Sequence, residues 1–398
     1  MVINNMANVE MKTENQLMTI SLKGHIDSNN AGDAEAAIIA AIEAEKPENI
    51  LIDAQELDYI SSAGLRIILR LRKEYPELRI INVKNEVYEV LDMTGFTEMI
   101  KVEKAYRVIS VDGCEVIGQG ANGKVYRIDQ DTIVKVYYNP DSLPDIQRER
   151  ELARTAFVLG IPTAIPYDVV KIGNEYGSVF ELLNAKSFAK LMSEDPSRLD
   201  EIVKMSVDLL KKIHGTEAKP GTMPGIKESA LKWAEFLKDH LPAEPAEKLY
   251  RMIEAVPDDN HMMHGDFHLK NIMLQNDEVL LIDMDTICTG HPIFEFSAIY
   301  NAYRGFSSVD PTAIERFLGI TAAQGKEIWD KTLHLYFDDR IDEEIDAITD
   351  KARIISYARI MRRQIRHNDI DPDISVKLID FCKTNLLELL EKYDTLTF

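Results

Sequence analysis

Along the first hundred residues, short apolar runs alternate with stretches whose apolar positions recur every three or four residues. Leu17–Leu22 and Arg79–Val83 predict strands, and Asn49–Asp53 predicts a short buried one. Asp33–Glu45, Ala63–Glu74 and Val87–Met93 predict helices; in the second, Leu65, Ile68, Leu69 and Leu71 fall on one face. Strands alternating with helices predict an α/β unit whose mostly parallel sheet is covered by helices. Past residue 112 the pattern changes. Lys124–Ile128 and Thr132–Tyr138 are β-rich around an Asp129-Gln-Asp131 turn, a helix is expected over Asp145–Leu159, and Ser178–Leu183 reads as a buried strand. Helical periodicity dominates residues 198–255 and 311–395. Two domains follow, residues 1–107 and 112–398, with residues 105–113 as a short connection that lacks a Pro/Gly-rich linker and so favours close packing.

Composition narrows this picture. With 45% apolar and 28% charged residues in 398, the chain can bury a sizeable core. No apolar run approaches the ~20 residues needed to cross a bilayer. Ala34–Ala44 is interrupted by Glu35 and Glu43, and Met1–Asn15 lacks the apolar core of a secretory signal. Cys114, Cys288 and Cys382 are too widely spaced for a CxxC metal site or a disulfide framework, so a reducing cytoplasm without membrane attachment is expected. The net charge is −21; residues 1–108 hold 12 Lys+Arg against 18 Asp+Glu, so −6 falls there and −15 on the rest. That balance argues against nonspecific nucleic-acid binding, which relies on Lys and Arg to neutralise phosphates. It fits a solubilising surface better than a cationic substrate.

The chemistry lies in the second domain. Gly118, Gly120 and Gly123 stand in GxGxxG spacing, a pattern that dinucleotide folds share, but those folds need a helix after the glycines. Here strands follow, and a glycine-rich hairpin can lay its N–H groups over ATP phosphates. Lys135, between Val134 and Val136 on the next strand, stands where a kinase keeps the lysine that meets the α/β-phosphates. Its carboxylate partner is expected from the following helix, Glu149 ahead of Glu151. Glu181 and Leu183, where the strand runs into a lobe connection, are candidates to hold adenine through their backbone, with Phe180 as a wall. His264-Gly-Asp-Phe-His-Leu-Lys-Asn271 has the kinase catalytic-loop spacing, with Asp266 to orient the acceptor hydroxyl and take its proton and Asn271 to offer oxygen to Mg2+. Twelve residues on, Asp283 ends an apolar strand as the main Mg2+ ligand, assisted by Asp285; Mg2+ prefers such hard oxygens. His264 is expected to brace the loop rather than transfer protons.

These residues carry two resemblances. His268, where protein kinases usually have Lys, and the short Asp285–Phe296 segment without Ala-Pro-Glu resemble the aminoglycoside phosphotransferase and choline kinase group over residues 112–310. That implies an α+β bilobal protein-kinase-like fold, with an N-lobe near 112–183 and a helical C-lobe over 184–398. It also implies ATP- and Mg2+-dependent transfer to a small-molecule hydroxyl. In that group an aspartate commonly braces the catalytic loop where Glu295 stands here. The acceptor is expected against the helical region. Acidic Asp338, Asp339, Glu343 and Glu344 could draw a cation there, although Arg340, Arg362, Arg363 and Arg366 favour a balanced, solvated face. The acceptor stays open among aminoglycoside, amino alcohol, sugar and protein hydroxyl.

The stretch Leu51–Leu65, with Ser-Ser-Ala-Gly-Leu in its loop, and Met93-Thr-Gly-Phe96 resemble the STAS domain of bacterial anti-sigma factor antagonists, an α/β fold with a mixed sheet. The resemblance implies regulation or a protein partner, with Ser62 as phosphoacceptor. A helix start also favours a phosphate. Equally, Ser61 or Ser62 could cap the helix, and Ser61 replaces an aspartate that many relatives carry. Two alternatives to a small-molecule kinase remain: a serine protein kinase acting on Ser62 or a partner, and a nucleotide-sensing scaffold.

Overall fold

The computed structural model describes residues 4–6, 8–120, 122–367 and 370–398. The chain divides into two compact units, Met1–Ser110 and Val111–Phe398.

In the first unit a six-stranded mixed sheet carries the helices. Val9–Glu14 pairs antiparallel with Asn4–Met6 and with Leu17–Ile26. Leu17–Ile26, Asn49–Ile60, Arg79–Val83 and Lys101–Lys104 then run parallel in that order. Parallel neighbours need crossovers, which Ala31–Glu45, Ser62–Glu74 and Asn85–Met93 supply. Ile38, Ile68 and Leu91 from these helices bury against Ile20, Ile52 and Ile80 of the sheet. Two strands exceed the apolar runs. Val9–Glu14 lies within the polar N-terminal stretch, where Val9 and Met11 are buried on alternate positions. Asn49–Ile60 outruns its apolar start because pairing with Leu17–Ile26 continues to Ile60 through two register shifts.

The Ser-Ser-Ala-Gly turn joins this strand to its helix. The Ser61 hydroxyl accepts the Ala63 N–H at 3.2 Å and caps the helix, which leaves Ser62 exposed on its first turn. A Cβ on Gly64 would stand 2.7 Å from Ile60 Cγ1 and 2.8 Å from Ile26 Cγ2, so only glycine lets the helix settle on these strand ends.

The second unit opens with antiparallel strands in the order Asp168–Ile172, Glu175–Glu181, Thr132–Tyr137, Gly123–Arg127 and Glu115–Gln119. Helix Leu143–Val158 follows the central strand in sequence. Beyond Ser187 the unit is mainly helical. Leu199–His214, Ile226–Leu237, Ala243–Glu254, Ile293–Tyr300, Ala322–Tyr336, Asp342–His367 and Pro372–Lys392 share one apolar core that includes Phe188, Phe296, Ile354 and Tyr357. Two small antiparallel pairs hold the loops between them: Ile272–Gln275 with Glu278–Leu281, and Met262–Met263 with Cys288–Thr289. Among the described residues no helix is long and apolar enough to cross a membrane. All three cysteines are free.

Candidate active site

The three glycines differ in what requires them. Gly120 N–H donates to the Gly123 carbonyl at 3.0 Å and closes the hairpin, while Ala121 lies outside the described residues. A Cβ on Gly123 would be 2.2 Å from the Val136 carbonyl oxygen, so this glycine is needed for the hairpin to pair with the Lys135 strand. Gly118 would meet Val125 only at ordinary contact distance, and Gly120 faces open space. Of the three, Gly120 thus leaves its backbone open to an approaching group.

Lys135 joins three elements. Its Nζ lies 3.2 Å from Glu149 Oε1 on helix Leu143–Val158 and 2.8 Å from Asp283 Oδ1 after the Glu278–Leu281 strand. Burial alone would lower the lysine's pKa, but the Glu149 and Asp283 charges reverse that and raise it, so Lys135 is a fixed cation. Glu149 is buried, whereas Glu151 is exposed. Glu149 Oε2 also accepts the Tyr137 hydroxyl at 2.6 Å, a partner that sequence reasoning missed because an aromatic on a strand reads as core. At the far end of the sheet the Leu182 N–H donates to the Asp131 carbonyl. Glu181 is the last residue of its strand, and Leu183 lies just beyond it.

The loop around Asp266 is held from below by Glu295, which is wholly buried. Its carboxylate accepts the N–H groups of His264 at 2.6 Å and Gly265 at 3.0 Å. His264 Nε2 donates to the Ile282 carbonyl at 3.2 Å, tying this loop to the segment that presents Asp283. The Thr286 hydroxyl closes the same link by donating to the His264 carbonyl at 2.8 Å. Gly265 has φ +80°, and a Cβ there would meet the Thr286 carbonyl at 2.5 Å. Asp266 itself remains partly open. Burial would raise its pKa, but the His268 imidazole, 3.3 Å from Oδ2, and the nearby His264 and Arg359 hold it at about 2. Asn271 Nδ2 donates to the Asp266 backbone carbonyl at 3.0 Å, so the amide oxygen points elsewhere.

Asp283 adopts a left-handed conformation at φ +63°, which swings its carboxylate out of the strand line towards Lys135. Asp285 follows in the turn Met284–Thr286. Burial, then the Asp283 charge, pushes its carboxyl up to about 7. Among the described residues no cluster of three or more His, Cys, Asp or Glu forms a complete metal cage. This donor set still fits Mg2+, which usually takes one or two carboxylates and completes its shell with phosphate and water. A cation between Asp283 and Asp285 would relieve the repulsion that raises Asp285.

Two cavities flank these groups. One of about 390 Å³ is lined by Asn122, Tyr137, Glu149 and Asp285, among others. The other, about 380 Å³, opens beside Asp266 and is walled by Ile314, Phe317, Arg359 and Ile370, among others. Sequence reasoning missed Arg359: helix Asp342–His367 reads as an amphipathic segment, and only the tertiary fold brings it to Asp266. Asp338, Asp339, Glu343 and Glu344, read as part of a solvated face, do not line this cavity, and Asp338 is exposed and pairs with Lys211 at 3.0 Å; Arg363, assigned to the same face, does line it.

Residues 113–331 match the phosphotransferase enzyme family, and residues 8–108 match the STAS domain. A putative anti-sigma factor antagonist of Bordetella bronchiseptica is 34% identical over 90 residues, which is 22% of this chain and 77% of that protein. An anti-sigma F factor antagonist of Paenibacillus polymyxa is 22% identical over 98 residues, 24% of this chain and 84% of the relative. Among solved structures, ADP-bound aminoglycoside phosphotransferase APH(2'')-Ib is 15% identical with a TM-score of 0.48, covering 77% of this chain and 99% of its own. The streptomycin–ATP complex of APH(2")-IIa is 16% identical with a TM-score of 0.47, covering 77% of this chain and 98% of its own.

Proposed function

The chain belongs to the phosphotransferase enzyme family, a kinase-type group of enzymes, and its first unit is a STAS domain; on that premise we propose that it moves the γ-phosphoryl group of ATP to a hydroxyl of a small molecule. The observation that carries this reading is the Lys135 pair with Glu149 and Asp283, set in the same unit as the partly open Asp266 carboxylate. Gly118, Gly120 and Gly123 form the hairpin over the phosphates, with Gly120 the most accessible. Lys135 binds phosphate oxygens while Glu149 and Tyr137 hold it in place. The backbone of Glu181 and Leu183 receives the adenine. Asp266 accepts a hydrogen bond from the acceptor hydroxyl; that oxygen forms the new bond to phosphorus, the bond to ADP breaks, and the proton passes to the carboxylate. Asn271 and Asp283, with Asp285, are the residues that would hold Mg2+, which when bound neutralises charge on the phosphates. Incubation with γ-labelled ATP and a panel of alcohols, aminoglycosides and sugars tests the reading. Label should move to an acceptor with wild type and not with Asp266→Ala.

The STAS domain serves regulation or partner binding in this reading, with Ser62 as a phosphoacceptor. Its support is local: Ser61 does the capping, which leaves the Ser62 hydroxyl exposed at a helix start, where a phosphate is favoured. Phosphopeptide mapping of protein from cells would reveal a Ser62 phosphate; a partner that binds equally well to the Ser62→Asp variant and to wild type would contradict the switch.

A further inference from the structure

The cavity beside Asp266 runs against the charge of the chain. Asp and Glu number 67 against 46 Lys and Arg overall, yet this wall carries Arg316, Arg359 and Arg363, and among its described lining residues Asp266 is the one carboxylate. The three arginines are not equivalent. Arg316 is exposed and its charge is met by Asp310 at 2.6 Å. Arg359 is half-buried; the Asp266 and Glu295 charges act on it from a distance, and among the described residues neither they nor any other carboxylate forms an ion pair with it. Its Nη1 reaches the Gly265 carbonyl at 3.4 Å, and its guanidinium carbon lies over the Trp233 ring, 5.4 Å from its centre. These contacts restrain the fork, and a planar fork of N–H donors matches a carboxylate or phosphate bidentately. Arg363 follows on the same helix face, four residues on.

From this we infer that the acceptor is a small hydroxylated organic anion with an apolar body, and that Arg359 is its counter-ion; the inference rests on the phosphotransferase reading above. Removing part of the water from a guanidinium whose neighbouring carboxylates, Asp266 and Glu295, lie beyond ion-pair distance is costly, and an anionic group on the acceptor that meets the fork directly offsets that cost. Ile314, Phe317 and Ile370 offer the rest of the molecule an apolar surface. A polycationic acceptor finds the opposite. Each ammonium needs a carboxylate, and Asp266 is already engaged by the reacting hydroxyl. The volume of about 380 Å³ also sits near the lower end of small-molecule sites, roughly 300–1,000 Å³.

Three para-substituted benzyl alcohols on one frame, bearing a carboxylate, a hydroxymethyl or an aminomethyl group, isolate the charge. With the full chain and γ-labelled ATP, the carboxylate should be phosphorylated with kcat/KM about tenfold or more above the amine. Arg359→Gln should abolish that preference, mainly by raising KM for the carboxylate, and Arg359→Lys, which keeps the charge, should retain part of it. Thermal unfolding of both variants separates lost charge from lost fold. Preference for the amine or the neutral diol, a carboxylate preference that survives Arg359→Gln, or no transfer to any of the three would each overturn the inference. Asp266-dependent transfer to some other acceptor would leave the phosphotransferase reading intact, whereas absence of Asp266-dependent transfer to every acceptor would overturn that reading itself.

Discussion

The buried carboxylate of Glu295 accepts the backbone N–H of His264 at 2.6 Å. It thereby fixes, from below, the loop whose next residues are Gly265 and Asp266. Glu295→Ala would leave the His264 and Gly265 N–H groups buried without an acceptor. Hydrogen bonds to charged groups contribute roughly 1.5–3 kcal/mol each, so a loss of about 3 kcal/mol or more is expected in denaturant unfolding of the second unit. A loop displaced by about 1 Å should also lower kcat about a hundredfold. Glu295→Asp keeps the charge and should lose less on both counts.

Gly120 and Gly123 should separate in the same way that their surroundings do. Gly123→Ala forces a Cβ into the Val136 carbonyl and should destabilise the unit by about 1–3 kcal/mol, the usual cost of overpacking. Gly120→Ala meets open space and should alter stability by less than about 0.5 kcal/mol, with the KM for ATP rising instead. Urea titration and steady-state kinetics on both variants check the contrast.

Asp285 gives a pH dependence with a definite sign. Its carboxyl is raised from 3.8 to about 7 in the folded chain, so between those values the folded state holds a proton that the unfolded state has released. Stability of the metal-free, nucleotide-free protein should therefore fall as pH rises from about 4 to about 7. Asp285→Asn should flatten that slope, and Mg2+ with nucleotide should oppose it. Thermal melts across this range, with and without Mg-ATP, give the measurement.

Ser61 and Ser62 divide capping from signalling. Ser61→Ala should cost the first unit about 1 kcal/mol, the typical value of an N-cap hydroxyl. Ser62→Ala should change stability by less than about 0.5 kcal/mol while removing any phosphate carried at the position. Chemical denaturation followed by mass mapping distinguishes the two.

What the chain shows before folding depends on the range of the interactions. The stretch from His264 to Asn271 and the Asp283 segment are legible because loop chemistry requires fixed residue types at fixed short spacing. Strands after Gly123, rather than a helix, were legible from β-branched residues and the Asp129–Asp131 turn. The Asn49–Ile60 strand was only half visible, since its later residues are polar and owe their extension to pairing with Leu17–Ile26. Tyr137 looked like core because nothing local shows that Glu149, twelve residues on, would lie 2.6 Å away. Arg359 was hidden most fully: it stands 93 residues beyond Asp266, on a helix whose pattern fits a solvated face.

Transfer of label from γ-labelled ATP by wild type and by Asp266→Asn, with circular dichroism to establish equal folding, decides whether Asp266 serves the acceptor hydroxyl. Asn keeps the size of the side chain and loses the charge that accepts the hydroxyl proton. Label should pass to a hydroxyl acceptor with wild type, and the rate should drop about a hundredfold or more with Asp266→Asn. Transfer by folded Asp266→Asn at the wild-type rate would contradict that role.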